Sequence, residues 1–162
     1  MTENGSMQIC HSLPGDAGYV AYMNGRYYWK YHGFRVGAEY YFIKYLADFV
    51  RDPNGGRLWV AEADGKIVGS VAVVPVGNNE VQLRWFFVEK ECQNKGIGSG
   101  LMNIALEFCR DEDLRNVFLW TFKGLGSARH LYEKLGFKET EEKINTEWSD
   151  SEIIEQKLEL KL

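Results

Sequence analysis

Apolar and polar positions alternate in some stretches of the chain and recur at helical spacing in others. Strand-like runs occupy residues 7–13, 58–63, 66–76, 80–88, 116–122 and 137–140, and clean alternation closes the chain over residues 154–162. Helical spacing predicts helices over residues 17–31, with a weak point at Gly25, and over residues 38–50, 101–108 and 128–135. The predicted order is strand, two helices, three antiparallel strands, helix, strand, helix and two strands.

Turn residues and alternation refine this picture. Asp64-Gly65 joins two strand-like runs as a tight hairpin, Gly77-Asn78-Asn79 marks a second turn, and Ser127 is placed to cap the last helix. In the run 80–88, alternation places Val81, Leu83, Trp85 and Phe87 on one face and Gln82, Arg84 and Phe86 on the other. In the closing run it turns Ile154, Leu158, Leu160 and Leu162 inward and Glu155, Lys157, Glu159 and Lys161 outward.

A glycine-rich stretch separates the run 80–88 from the helical pattern that begins at Leu101. It reads Gln93-Asn94-Lys95-Gly96-Ile97-Gly98-Ser99-Gly100. The first N–H groups of a helix lack internal partners and carry partial positive charge, and glycine allows an anion to approach the backbone. The stretch therefore predicts a phosphate or pyrophosphate on residues 93–100, although a turn without any ligand would also explain three glycines.

Two better-known glycine motifs are absent from the sequence. A Walker loop requires Gly-Lys followed by Ser or Thr, and this combination does not occur. A dinucleotide fingerprint requires a third glycine where this chain has Leu101. The anion site, if it exists, belongs to another class.

Composition narrows the class of protein further. The net charge of −4 argues against nucleic-acid binding, and no apolar run approaches the roughly 20 residues that span a membrane. Residues 1–6 are interpreted as a disordered leader and residues 7–162 as one domain. Cys10, Cys92 and Cys109 are widely spaced, so we expect neither a disulfide framework nor a metal site, and a cytoplasmic location.

Two motifs together resemble the GCN5-related N-acetyltransferase (GNAT) family. They are Val88 followed by Gln93-x-x-Gly96-x-Gly98, and the run Ser127-Ala128-Arg129-His130-Leu131-Tyr132-Glu133-Lys134-Leu135-Gly136-Phe137. The resemblance implies the acyl-CoA N-acyltransferase fold: an α/β protein with a mixed, mostly antiparallel sheet, one parallel strand pair and flanking helices. A narrower likeness, in residues 13–20, 24–28 and 47–49, is to the acetyltransferase half of fusions with MarR-type regulators, although no winged-helix part is present here.

The family resemblance implies acetyl-CoA as acyl donor and no metal. Backbone groups of the segment Gln93, Asn94, Lys95, Gly96, Ile97, Gly98 and Ser99 would bind its pyrophosphate, and those of Phe86, Phe87 and Val88 would pair with the pantetheine arm. Lys95 and Lys123 are candidate partners of the 3′-phosphate. The N–H of Phe87 is the expected donor to the oxyanion.

Tyr132 occupies the family's tyrosine position and is the expected general acid. The base is less well marked, because the position where relatives often carry glutamate is Gln82. Glu80, two residues earlier on the same face, is the candidate base, acting directly or through water. Leu125 is a second departure, since many relatives carry asparagine there.

The aromatic N-terminal region is where relatives build the acceptor site. Tyr27, Tyr28, Trp29, Tyr31 and Tyr40 are candidates to line an amine pocket through cation–π contacts, although aromatic residues at helical spacing also form cores. The expected reaction is acetyl transfer to a primary amine, on a small molecule or a protein, by direct attack in a ternary complex. The alternative is a non-catalytic acyl-CoA-binding or sensing module. The closing strand would suit a homodimer.

Overall fold

A computed structural model describes residues 7–162, and the expected leader, residues 1–6, lies outside this range. The strands are β1 (Gln8–His11), β2 (Arg57–Ala63), β3 (Lys66–Gly77), β4 (Glu80–Val88), β5 (Asn116–Phe122), β6 (Lys138–Asn145) and β7 (Ile153–Lys161). The helices are α1 (Asp16–His32), α2 (Val36–Arg51), α3 (Ile97–Asp111) and α4 (Gly126–Lys134), with a 3₁₀ turn at Lys90–Cys92. This is the predicted order of elements.

All seven strands form one sheet in the order β1-β2-β3-β4-β5-β7-β6. Only the neighbours β4 and β5 run parallel, and α3 connects them. The other neighbouring pairs are antiparallel, and the hairpin residues Asp64 and Gly65 both have positive φ, as a tight two-residue turn requires. The predicted mixed sheet with one parallel pair is confirmed.

Each face of the sheet carries its own hydrophobic core. Leu101, Met102 and Ala105 of α3 pack on one face with residues of β3, β4 and β5, and α4 joins them through Tyr132. Helices α1 and α2 cover the other face, where a second group of buried residues surrounds Phe42. The sheet is therefore covered on both sides, so helices on either face can contribute residues to a site at its centre.

Helix α1 is the one helix predicted around Gly25, and it runs through that glycine without a break. Two details of the predicted elements were wrong. Helix α3 begins at Ile97, so Gly98 and Gly100 are helical residues rather than turn residues. Ser127 lies inside the first turn of α4, whose N-cap is Leu125, and no side chain caps this helix.

The closing strand β7 also differs from the prediction. It lies between β5 and β6, so it is not a sheet edge, and the edges are β1 and β6. Glu155, expected to face solvent, is only 5% exposed because the face it shares with Ile153 is covered by the core of α1 and α2. The strand therefore offers no free edge for pairing with a second copy.

Candidate active site

The parallel strands β4 and β5 separate halfway along their length. They pair only from Glu80–Asn116 to Leu83–Leu119, although β4 continues to Val88. A bulge in β4 lies where they part, because the register with β3 shifts there and Trp85 has a positive φ of 48°. The backbone groups at the end of β4 therefore have no partner in β5.

The bulge also reverses the faces of β4. Alternation predicts Trp85 and Phe87 on the side of Val81 and Leu83, which pack in the core beneath α3. Instead, Trp85 belongs to the core of α1 and α2, and Phe86 packs on the opposite side. The predicted division of faces therefore holds through Arg84 and is wrong from Trp85 onwards, since the extra residue of a bulge shifts the alternation by one.

Main-chain direction decides which residues of β4 face the gap. The N–H of Glu89 donates to the carbonyl oxygen of Val68 in β3 at 2.8 Å. Because backbone groups of alternate strand residues point to the same side, those of Phe87 also face β3, and those of Phe86 and Val88 face the gap. The expectation that the Phe87 N–H binds an oxyanion does not fit this direction, whereas Phe86 and Val88 fit the expected pairing with an extended ligand.

Gln93 joins the end of β4 to α1 through its side chain. Its Nε2 donates to the carbonyl oxygen of Val88 at 2.9 Å and to the hydroxyl of Tyr27 at 3.0 Å. Its own N–H is directed at the carbonyl oxygen of Lys90, at 3.4 Å. Gln93 thus holds the strand end in place, and the backbone donors available to a ligand begin after it.

The backbone N–H donors available to a ligand lie in the turn before α3 and in the first turn of that helix. Asn94 and Gly96 have φ values of 59° and 83°, in the left-handed region, and they lead the chain into the helix. The first backbone bond of the helix runs from the N–H of Gly100 to the carbonyl oxygen of Gly96 at 2.9 Å. The N–H groups of residues 97–99 precede that bond, so they are open at the positive end of the helix dipole.

Glycine occurs at positions 96, 98 and 100 for different reasons. Gly96 is required by its backbone conformation. A Cβ on Gly98 would lie 3.4 Å from the ring of Phe86, and one on Gly100 would lie 3.0 Å from Ile9. Gly100 therefore lets α3 pack closely on the sheet, whereas a Cβ on Gly98 would make only an ordinary contact, so packing does not explain that glycine.

The lysines expected near the phosphates are exposed. Lys95 does not line the cavity that lies in the gap between β4 and β5, and Lys123 forms a 2.9 Å ion pair with Glu142. Neither residue is held towards the start of α3 by a contact within residues 7–162.

A cavity of about 440 Å³ passes through the gap between β4 and β5. One end is formed by Asn94, Gly96 and Ser99 at the start of α3. Its middle runs along residues 86–88, and its other end is a chamber beneath α1 and α2, lined mainly by aromatic rings. One continuous space therefore connects the open backbone donors with the aromatic chamber.

Tyr132 of α4 stands at the middle of this cavity. Its side chain is 5% exposed, and its ring centroid lies 5.9 Å from that of Phe86. Burial raises the pKa of Tyr132 far above that of a free tyrosine, and the neighbouring Tyr28 adds to the increase. The hydroxyl therefore keeps its proton at neutral pH.

The hydroxyl of Thr121 in β5 is a polar group that the sequence did not single out. Thr121 is 7% exposed and lines the cavity, and its Oγ1 has no hydrogen-bond partner among the described residues. Buried hydroxyls normally have a partner, so Thr121 is an exception in the wall of the cavity.

Only part of the predicted acceptor site lines the chamber. Tyr27 and Tyr28 do, and burial raises the pKa of Tyr28 well above its ordinary value. Trp29 is 52% exposed and stacks on Arg26, and Tyr31 lies beneath the ammonium of Lys90, so both lie outside the chamber. Tyr40 is also exposed, at 67%. The remaining rings of the chamber, which the sequence did not assign to the acceptor site, are Phe34, Tyr41, Phe42, Trp85, Trp120, Phe122 and Trp148.

The candidate base Glu80 lies away from this space. It begins β4, in the part that is still paired with β5, and it does not line the cavity. Glu155 of β7 does line it, and among residues 7–162 it is the only carboxylate that does. Its Oε2 lies 3.4 Å from the ammonium of Lys143. The sequence missed Glu155 because simple alternation turned it towards solvent.

The part of the chain that the structure describes shows neither a metal-binding cluster nor a membrane-spanning helix. There, no cluster of three or more His, Cys, Asp or Glu side chains is arranged to hold a metal ion. None of the helices described in residues 7–162 has the length and apolar character needed to cross a bilayer.

Comparison with known proteins identifies relatives of this chain. A model of the acetyltransferase (GNAT) family matches residues 21–137. Human N-acetyltransferase 8 is 35% identical over 101 residues, which cover 59% of this chain and 44% of the relative. Rat N-acetyltransferase family 8 member 2 is 38% identical over 90 residues, which cover 52% and 40%. The matched stretch is thus less than half of these relatives' length, and nothing supports regulator fusions as the nearest kin.

Solved structures share the fold across nearly the whole chain. A GNAT-family acetyltransferase from Staphylococcus aureus Mu50 aligns with a TM-score of 0.76 and 19% identity, covering 97% of this chain and 99% of that one. The yncA protein of Salmonella typhimurium, solved with its cofactor acetyl-CoA, aligns with a TM-score of 0.77 and 16% identity, covering 96% and 94%. At these identities the likeness establishes the fold.

Proposed function

The chain belongs to the acetyltransferase (GNAT) family, and on that premise we propose that it transfers the acetyl group of acetyl-CoA to a primary amine by direct attack in a ternary complex. The observation that carries this proposal is the single cavity that joins the open N–H groups of α3 to a chamber holding a buried carboxylate. Tyr132 lies between the two ends. Donor and acceptor can therefore meet without a covalent enzyme intermediate.

The start of α3 binds the pyrophosphate of the donor. The N–H groups of residues 97–99 are directed away from the helix, and the left-handed residues Asn94 and Gly96 bring the turn up to the same point. Such a helix terminus binds phosphate oxygens through backbone donors and the helix dipole, without requiring a lysine. This assignment keeps the predicted segment 93–99, with the side chain of Gln93 acting as its anchor to β4.

The end of β4 binds the pantetheine arm. The backbone groups of Phe86 and Val88 face the gap that β5 leaves, so an extended chain with amide groups pairs with them as a strand would. The hydroxyl of Thr121 on the other wall supplies a further polar contact. Acetyl-CoA brings an activated thioester carbonyl, and an N–H facing this gap donates to its oxygen as negative charge develops.

Glu155 accepts the proton of the acceptor. An alkyl ammonium has a pKa near 10.4, so its deprotonation at neutral pH costs about 4–5 kcal/mol. A buried carboxylate in the chamber binds the ammonium and takes that proton, which leaves a neutral amine to attack the carbonyl carbon. Glu155 replaces Glu80 in this role because it lines the cavity and Glu80 does not.

Tyr132 stabilises the sulfur that departs. Its raised pKa holds the proton on oxygen, and this pKa lies well above the value of about 8.5 for a thiol. Complete transfer of the proton is therefore uphill, so the hydroxyl donates a hydrogen bond to the thiolate. The thiolate takes its proton from the nitrogen of the newly formed amide linkage, which must lose one proton to become neutral.

Initial rates measured against both substrates test the proposal. A panel of primary amines, including small metabolites and lysine peptides, is supplied with acetyl-CoA while release of free thiol is followed. Direct attack predicts intersecting double-reciprocal plots, because both substrates must be bound before any product leaves. Parallel plots would indicate an acetylated enzyme, and failure of every amine together with no stabilisation by acetyl-CoA would overturn the proposal.

A further inference from the structure

Arg84 is a charged side chain in the chamber that the proposed acetyl transfer does not use. It follows the last paired residue of β4, lines the cavity and is half-buried. Its guanidinium carbon lies 4.5 Å from the ring centroid of Tyr45 and 5.2 Å from that of Trp85. One terminal nitrogen donates to the hydroxyl of Tyr41 at 3.0 Å. Aromatic rings therefore hold the guanidinium in a defined position.

No carboxylate among residues 7–162 forms an ion pair with Arg84. Glu155, the only carboxylate lining the cavity there, is instead beside Lys143. These two opposite charges offset each other, whereas the positive charge of Arg84 has no carboxylate beside it in the described residues. Of its five N–H donors, only the one directed at Tyr41 has a partner in the described part of the protein.

The chemistry of such a group favours one class of ligand. A guanidinium is planar, stays charged and presents paired N–H donors that match a carboxylate. Stacking on rings stabilises its faces but satisfies none of the donors at its edge. A half-buried guanidinium that is fixed in this way, without an anion from residues 7–162, is suited to an anion carried by a ligand.

Regular alternation from Leu83 turns Arg84 towards α1 and α2, and the bulge in β4 places Trp85 on the same side. In a regular strand Trp85 would point to the core beneath α3. The distortion that opens the gap for the donor thus also adds the Trp85 ring that packs beside the guanidinium of Arg84.

We propose that Arg84 binds a carboxylate of the acceptor, so that the preferred substrates are amines that also carry a carboxylate. This inference rests on the proposed acetyl transfer, since it names the acceptor class of the same site. The aromatic walls formed by Phe34, Phe122 and Trp148 suit an apolar body between the two polar groups. An amino acid with an apolar side chain has all three parts.

Matched acceptor pairs test this inference. The pairs are phenylalanine with phenethylamine, and γ-aminobutyrate with butylamine; each pair differs only in the carboxylate. For at least one pair, kcat/KM is expected to be higher for the acid by about tenfold or more, the effect of a hydrogen-bonded ion pair. Arg84→Gln should bring that ratio to about one through a higher KM for the acid, and Arg84→Lys should give an intermediate ratio because it keeps the charge without the paired donors.

Arg57→Gln is the matched control, since Arg57 stacks on Phe108 and does not line the cavity; its ratio should equal that of the wild type. Equal rates for acid and amine in both pairs, or a preference that survives in Arg84→Gln, would overturn the inference while leaving acetyl transfer intact. Calorimetric binding of phenylalanine and phenethylamine to the wild type gives a readout that needs no turnover. If no amine is acetylated but phenylalanine alone binds, and binds only with Arg84, the acetyl transfer fails and the carboxylate site stands.

Discussion

The hydroxyl of Ser70 donates a 2.6 Å hydrogen bond to the main-chain carbonyl of Trp85, which has a left-handed φ of 48°. A bulky aromatic residue in that conformation is strained by about 1–3 kcal/mol, so surrounding contacts must hold it. Ser70 of β3 is fully buried and supplies such a contact from the neighbouring strand. The bulge that parts β4 from β5 is thus stabilised from outside β4.

Ser70→Ala tests this role. It leaves a buried carbonyl without a partner, so the free energy of unfolding should fall by about 1–3 kcal/mol in chemical denaturation. Acetyl-CoA binding should weaken as well, because Phe86 and Val88 lose their fixed positions. Thr121→Val is the control for stability, since the hydroxyl it removes is buried without a partner, and its loss should cost little. Equal stability of the two variants would contradict the role given to Ser70.

Tyr132→Phe removes the hydroxyl proposed to stabilise the departing sulfur and leaves the ring that packs on Phe86. We expect kcat to fall at least about tenfold while the Kd of acetyl-CoA stays close to the wild-type value. Tyr40→Phe removes an exposed hydroxyl and should have no effect on either quantity. Unchanged turnover of a verified amine by Tyr132→Phe would remove Tyr132 from the mechanism.

A pair of glutamine variants distinguishes the two candidate bases. Glu155→Gln should lower kcat by about a hundredfold or more at neutral pH, the usual contribution of a general base, and the loss should shrink as rising pH deprotonates the amine in solution. Glu80→Gln should stay close to the wild type, because Glu80 does not line the cavity. The reverse pattern would restore the role that the sequence suggested for Glu80.

The backbone of the phosphate turn can be tested with two glycines of similar conformation. Gly96→Ala and Gly65→Ala both force alanine into the left-handed region, at φ values of 83° and 70°, and neither new Cβ meets another atom. Each should destabilise the fold by about 1 kcal/mol. Titration with acetyl-CoA should show severalfold weaker binding for Gly96→Ala only, since Gly65 lies in the β2–β3 hairpin and does not line the cavity; equal affinities would argue against the turn as the phosphate site.

Part of the loss of folding stability at acidic pH should come from His32. Burial, and then the charge of Lys90, lower the pKa of this histidine below its ordinary value of 6.5. The unfolded chain therefore binds the proton more readily, so the contribution to stability is full above pH 6.5 and is lost as the pH falls below it. His32→Phe, which keeps a ring against Phe122, should reduce the fall in Tm between pH 7.5 and 5.5, whereas His11→Phe should not. If the fall in Tm is the same in His32→Phe as in the wild type, His32 is not a source of the acid sensitivity.

The sequence predicted the elements well where local patterns decide them. β4 and β5 have the predicted bounds, because strong alternation and flanking turns determine them. The faces of β4 from Trp85 onwards were not predictable, since the bulge depends on Ser70, which lies 15 residues away from Trp85. Period-two alternation assumes a regular strand, and nothing within residues 80–88 marks the irregularity.

The site was predictable in its donor half and less so in its acceptor half. The turn 93–99 and Tyr132 carry local motifs, and both line the cavity in part. Glu155 and Arg84 belong to no local motif. Alternation assigned Glu155 to solvent, and its face of β7 is buried only because α1 and α2 pack on it. Pairing between β7 and β5 brings Glu155 opposite Phe122, a relationship that no single segment of sequence contains.

The most direct test of acetyl transfer is the product balance of a single reaction. The wild-type protein is incubated with acetyl-CoA and each amine, and free thiol and N-acetylated amine are both quantified, the latter by mass spectrometry. Transfer through the gap between β4 and β5 predicts one N-acetyl product for every thiol released, with both falling together in Tyr132→Phe and Glu155→Gln. Tight binding of acetyl-CoA with no acetylated amine, or thiol release unaffected by either substitution, would contradict it and leave a protein that binds acyl-CoA without using it.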